Sequence, residues 1–106
     1  MITVSVTYPA TEGSRFDLAY YQSHHMPLVR SLWGQCGLTE EAYLRGVGAP
    51  GGGPAPVHLT ALLTFKSAED FANAGQLHGK AVMSDIKNFT DVRPVVTINE
   101  RLPASA

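Results

Sequence analysis

The sequence has little of what commits a chain to a disulfide framework, a membrane or a polyanion. Among its 106 residues there is one cysteine, Cys36. That excludes an intrachain disulfide and any cysteine-rich metal site within one chain, and it fits a reducing compartment. No stretch approaches the roughly 18 consecutive apolar residues of a membrane helix. The opening residues, Met1 to Thr7, alternate polar and apolar instead of running from a basic start into an apolar block, which argues against a signal peptide. The expected location is therefore the cytoplasm. Charge is scarce and balanced, 8 Lys and Arg against 9 Asp and Glu for a net of -1, with no basic cluster. Nucleic acid and anionic membrane surfaces are accordingly not expected as partners. A hydrophobic share of 44% against 16% charged residues excludes a disordered chain. This length supports one core, so a single domain over residues 1–106 is expected.

What is present is a set of short periodic segments. Ile2, Val4, Val6 and Tyr8 alternate with Thr3, Ser5 and Thr7, predicting a strand that ends at Pro9. From Asp17 to Trp33, Leu18, Tyr21, His25, Leu28 and Leu32 recur at helical spacing. Pro27 interrupts this run, so one short helix is predicted before His24 and another from about Pro27, with both histidines at the joint. Leu38 to Val47 reads as a strand, although Thr39 to Ala42 would also suit a helical turn. Gly48 to Pro56 is a Gly/Pro connection without the Lys-Ser/Thr ending of a phosphate-binding loop. His58 to Phe65 is a strand. Ser67 to Asp70 forms a capping box whose serine accepts from the third helical amide while Asp70 reaches back. The following helix carries a predicted buried stripe of Ala68, Phe71, Ala72 and Gly75, and Gly79 is expected to stop it. A further turn follows over Lys80 to Lys87, and Val92 to Leu102 supplies the last strand. The order is βαββαβ, which suits a four-stranded antiparallel sheet with both helices on one face, the ferredoxin-like α+β plan.

The two sheet faces differ in character. Val4, Val6, Leu59, Ala61, Leu63, Val96 and Ile98 are expected to meet the helices. The opposite set includes Ser5, Thr7, His58, Thr60, Leu62, Thr64, Val95, Thr97 and Asn99, a mixture too apolar for a plain solvent face. Pairing two such faces about a two-fold axis would cover it, so a homodimer is expected.

The run Tyr8-Pro9 followed by Phe16-Asp17-Leu18-Ala19-Tyr20-Tyr21-Gln22-Ser23-His24-His25-Met26-Pro27-Leu28-Val29 resembles the start of the EthD family, a branch of the dimeric α+β barrels. The likeness continues through Gly37-Leu38, Phe65, Ser67, Phe71, His78, Asp85-Ile86, Asn88-Phe89-Thr90 and Pro94 to Glu100. The resemblance implies a ferredoxin-like subunit, a homodimer closed into a barrel, and a pocket between each sheet and its helices. Related barrels include cofactor-independent monooxygenases, lactone isomerases and polyketide cyclases, so the resemblance alone selects no reaction.

Within that frame His25 leads the candidate catalytic residues: imidazole exchanges a proton near neutrality, and the helix joint could aim it into a pocket. The plainer alternative is a histidine tying the joint to backbone. Tyr21, four residues earlier, could lie beside it and bond a ligand oxygen, or simply sit in the core. His78 returns to the apolar face of the second helix seven residues after Phe71, as a site residue or a C-terminal cap. Tyr8 is a candidate ligand contact at a strand end, otherwise an aromatic wedge. His24 and His58 are further ligand-binding candidates, the latter otherwise a strand start. Asp85 and Asn88 read as a helix-end hydrogen-bond network. No His-x-x-x-His or paired carboxylate spacing points to a metal, and the chemistry expected of these groups needs no cofactor. The favoured function is acid/base conversion, of isomerase, lyase or cyclase type, of a small apolar oxygenated or aromatic compound in a catabolic or biosynthetic pathway. The alternatives are a non-catalytic small-molecule-binding accessory protein and a cofactor-independent monooxygenase.

Overall fold

Alternation of branched and hydroxyl side chains builds β1 over Ile2–Pro9, which pairs with β3, Val57–Phe65, on one side and β4, Val95–Asn99, on the other. The computed structural model describes residues 1–104, so the last two residues of the expected 1–106 domain lie outside the described residues. β2, Leu38–Arg45, pairs with the free side of β3, which settles that segment as strand. Every pairing is antiparallel, and the order β2-β3-β1-β4 is that of a ferredoxin-like α+β subunit.

Register sets which side chains share a face. Val4 lies opposite Leu63 and Ile98, Val6 opposite Ala61 and Val96, and Ala61 opposite Tyr43. This face carries the helices. Val4, Leu63 and Phe65 pack with Val29, Trp33, Ala74 and Val82, and the Trp33 indole N–H donates to the Ala74 carbonyl at 2.9 Å. That bond fixes the neighbouring helices α2, Met26–Trp33, and α3, Ala68–Asp85. A second cluster joins Tyr8, Tyr21, Leu59, Ala61, Ile86 and Phe89. The helix layer stops short of edge strand β4, where Val96 and Ile98 are 46% and 58% exposed instead of covered as expected.

Three local expectations are corrected. Pro27 does not separate two helices: α1, Leu18–Tyr20, continues through a π-helical turn, Tyr21–His25, directly into α2. Met26 keeps helical angles of φ -57° and ψ -48°. A proline ring in regular helix clashes with the carbonyl four residues back; here the wider turn before it absorbs the slip. Nor does Gly79 stop α3, which runs to Asp85 and into a 3-10 turn, Ile86–Asn88. Its inward stripe is Phe71, Ala74, His78, Val82 and Ile86, whereas Ala68, Ala72 and Gly75 are exposed. Finally, Ser67 accepts from the Asp70 amide at 3.0 Å, but the Asp70 carboxylate occupies the space where a Cβ on Gly37 would fall. Gly37 has φ +93°, so two constraints require glycine there.

The face away from the helices is uncovered. Thr3, Ser5 and Thr7 share it with Thr60, Leu62 and Thr64, and Leu44 and Val95 are more than half exposed. The subunit is a slab of 41 × 38 × 19 Å.

Candidate active site

The π-turn builds the site. Asp17 starts the helical run by accepting the Tyr20 amide at 3.0 Å, while its own amide is anchored to the Phe89 carbonyl at 2.7 Å. The Met26 amide then bonds back to the Tyr21 carbonyl, five residues away, so one turn holds an extra residue. Such turns are frequent at functional sites because they redirect side chains without ending the helix. Here both buried members, Tyr21 and His25, face the sheet. Their rings lie 5.2 Å apart, with the Phe89 ring 4.7 Å from His25.

His25 is 3% exposed, and its Nδ1 lies 2.9 Å from Oδ2 of Asp85, the last residue of α3. The other Asp85 oxygen accepts from the Tyr20 hydroxyl at 2.6 Å and from Asn88 Nδ2 at 3.0 Å. Burial opposes the charge on Asp85, but these three hydrogen bonds prevail and hold its carboxyl below the ordinary carboxylate range. A carboxylate only accepts, so His25 Nδ1 carries the proton and donates. Burial lowers the imidazole pKa, with the Asp85 hydrogen bond and charge opposing in part. The ring is therefore neutral at pH 7, with the lone pair on Nε2. Every fully enclosed side-chain nitrogen and oxygen among the described residues has a hydrogen-bond partner. Nε2 has none within the protein, so it is not enclosed and opens on the cleft that His25 lines.

That cleft lies between sheet and helices and holds about 540 Å³ counted out to its open mouth. Aliphatic and aromatic side chains dominate its wall, among them Val4, Val29, Trp33, Leu63 and Val82. Exposed Met83 and Val96 mark the mouth, beside the uncovered edge β4. The wall is almost wholly apolar in surface, and the residues along it that carry polar groups are His25 and three tyrosines, Tyr8, Tyr21 and Tyr43. Burial is the main reason all three phenols are pushed far above their ordinary pKa; Tyr21 and Tyr43 are raised further by neighbouring tyrosines, whereas the hydrogen bond from Tyr21 offsets part of the rise at Tyr8. They are neutral throughout the physiological range and available as hydrogen-bonding groups. Tyr43 additionally donates to Glu41 Oε1 at 2.8 Å.

Of the residues singled out from sequence, Tyr8, Tyr21 and His25 meet in this cleft. His24 does not: it is exposed, stacked on Tyr20 with ring centroids 4.6 Å apart, and its Nδ1 is 2.8 Å from Ser23 Oγ. His58 is at the start of β3, where Ser14 Oγ lies 2.8 Å from its Nε2 and Phe16 stacks at 5.5 Å. It lines a separate pocket with Phe16, Leu18, Arg45 and Ala55. His78 is half-buried on α3 and does not line the cleft. Asp85 and Asn88 do form a helix-end network, but one that terminates on His25. Sequence reasoning missed that link, together with Tyr20, Tyr43 and Trp33. The placement of Tyr43 on the alternate face of β2 was the one available signal. Among the described residues no three His, Cys, Asp or Glu side chains group as a metal site would require.

A ferredoxin-like subunit with an apolar cleft and an inward histidine defines a class of small α+β proteins, and comparison narrows it. The EthD domain model matches residues 14–93, and the chain belongs to the EthD family. An EthD-like protein from Ralstonia eutropha JMP134 has a solved structure that superposes with a TM-score of 0.88 at 36% identity, over 99% of this chain and 95% of the other. An ethyl tert-butyl ether D (EthD) family protein from Bacillus halodurans C-125 gives 0.68 at 22% identity, over 96% and 99% of the two chains. HapK from Hahella chejuensis, at 0.54 and 15% identity over 100% and 97%, shares the fold. No curated protein matches the chain.

Proposed function

We propose that the protein is a homodimeric, single-domain enzyme of the cytoplasm that performs acid/base conversion of a small apolar oxygenated compound, without a cofactor. The observation that carries this reading is the His25–Asp85 pair, with Nδ1 occupied and a neutral Nε2 opening on an apolar cleft. In the proposed reaction Nε2 takes a proton from a carbon beside a carbonyl, breaking the C–H bond as the electron pair moves to oxygen. Tyr21 or Tyr8 donates a hydrogen bond to the resulting enolate, which the dry wall makes effective. The proton then returns to another atom, giving isomerisation, or a leaving group departs. Asp85 is a positioning residue: it fixes the tautomer and stabilises the imidazolium.

Dimerisation is supported by surface area. The subunit exposes 6753 Å², against roughly 5,800 Å² expected of a monomer of this mass. The excess, about 950 Å², is on the order of the roughly 800 Å² that each partner buries in a standard interface, and the uncovered sheet face contributes exposed Leu44 and Val95 to it.

The test begins with a thermal-shift screen of small ketones, lactones and phenols, since a ligand of the native state raises its melting temperature. Each stabilising carbonyl compound is then incubated in D2O and its carbon-bound deuterium followed by NMR. Parent protein is expected to accelerate exchange beside the carbonyl, and folded His25→Ala to lose roughly 100-fold or more of that rate while still being stabilised by the compound. Parental exchange in folded His25→Ala would contradict the assignment. Stabilisation without any exchange or turnover in the parent would favour a binding accessory protein.

A further inference from the structure

We propose that Tyr43 is the cleft's acceptor for a ligand hydroxyl, so that the site selects small apolar compounds presenting an O–H group, a phenol, enol or alcohol, over the corresponding ethers. This rests on the reading of the cleft as a ligand site and adds what the ligand must carry. The Tyr43 hydroxyl donates to Glu41 Oε1 at 2.8 Å. Glu41 is in turn gripped at both oxygens by Arg30, with Nε 3.0 Å from Oε2 and Nη2 2.9 Å from Oε1. A guanidinium is permanently charged and its planar fork fixes a carboxylate in position. A phenol has one proton and two lone pairs. With its proton directed to an immobilised carboxylate, Tyr43 has only acceptor capacity left.

Tyr43 also lines the cleft with Tyr8, Tyr21 and His25. Tyr43 sits on the helix-facing side of β2, opposite Ala61, and its ring packs edge-on against Tyr21 at 5.9 Å. Tyr8 packs edge-on against the other side of this group, its ring 6.0 Å from that of Tyr21. Tyr8 and Tyr21 bond each other, so one proton of that pair remains for a ligand, whereas neutral His25 Nε2 and Tyr43 are acceptors. A simple ether or hydrocarbon leaves both acceptors unanswered in an apolar enclosure, which is costly. A phenol or an enol answers one of them, and an enol is also the species that proton abstraction beside a carbonyl produces on reprotonation at oxygen.

The experiment uses phenol and its methyl ether, anisole, as probes. Trp33 is the only tryptophan and lines the cleft, so its fluorescence reports occupancy directly. Titrations are run at about pH 8, where histidine is neutral. The parent is expected to bind phenol about tenfold more tightly than anisole, the scale of one hydrogen bond, and Tyr43→Phe to remove most of that preference by weakening phenol alone. Glu41→Leu frees the Tyr43 proton and is expected to improve binding of acetophenone, a carbonyl acceptor, with Tyr43→Phe/Glu41→Leu losing the gain. Equal parental affinity for phenol and anisole, or a preference that survives Tyr43→Phe, overturns the assignment of Tyr43 while leaving a ligand cleft. Failure of every probe to bind overturns the cleft itself as a ligand site, and this proposal with it.

Discussion

At His25 two opposing influences meet: removal from water disfavours the imidazolium, and the Asp85 carboxylate favours it. Burial is the larger and leaves the pKa below the ordinary 6.5. Folding stability must then depend on pH with a definite sign. An unfolded chain takes up a proton as the pH falls past 6.5, while the folded ring resists until its lower value is reached. Stability that is full above 6.5 is thus lost progressively on acidification towards that lower value. The melting temperature is expected to fall between about pH 7 and pH 5, and calorimetry should find the slope reduced in His25→Gln. Asp85 acts in a separate window. Its pKa is lowered, so its contribution is present above 3.8 and is lost only as the pH falls through the still lower folded value.

At the scale of elements, α3 carries two glycines in its interior, Gly75 and Gly79, and a Cβ added at either meets nothing within 4 Å. Gly79→Ala is therefore expected to stabilise the protein by about 0.5–1 kcal/mol, chiefly by restricting the unfolded chain. Ser67→Ala should act in the opposite direction by about 1 kcal/mol, through loss of the bond to the Asp70 amide. Urea unfolding should show both as shifts of midpoint at unchanged slope. The same helix explains how far the sequence could be read. Strands were legible where branched residues alternate, as from Ile2 to Tyr8 and from Leu59 to Phe65, and with the Ser67 cap they led to the βαββαβ order. The course of α3 through Gly79 was not legible. A glycine costs about 1 kcal/mol in a helix interior, and the docking of Ala74, Val82 and Ile86 against the core outweighs that. The π-turn escaped for a similar reason. Pro27 announces an irregularity, but the choice between a break and a widened turn is made by the sheet and Phe89, against which Tyr21 and His25 pack. His25 itself could be named as a candidate, whereas its partner Asp85, 60 residues away in sequence, is joined to it only by tertiary structure.

For the molecule as a whole, a second copy of the chain is proposed to cover the second sheet face. Light scattering at micromolar concentration is expected to report twice the 11.4 kDa subunit mass. Leu62 lies on central strand β3 on the side away from the helices. Leu62→Lys should place an unpaired charge inside the proposed interface and yield a folded species of half the parental mass. A parent that stays monomeric, or a variant that remains dimeric, would move the interface elsewhere. The cleft lies on the opposite side of the sheet from this face, so the monomeric variant is expected to retain probe binding.

The proposed chemistry turns on one proton, that of the His25 ring, and ¹⁵N-histidine NMR observes it without any substrate. The prediction is an Nδ1-protonated tautomer at neutral pH, with an unprotonated Nε2 and a titration midpoint below 6.5; Asp85→Asn should disturb that tautomer. A His25 ring protonated at Nε2, or charged at pH 7, would contradict the role of proton acceptor assigned to it.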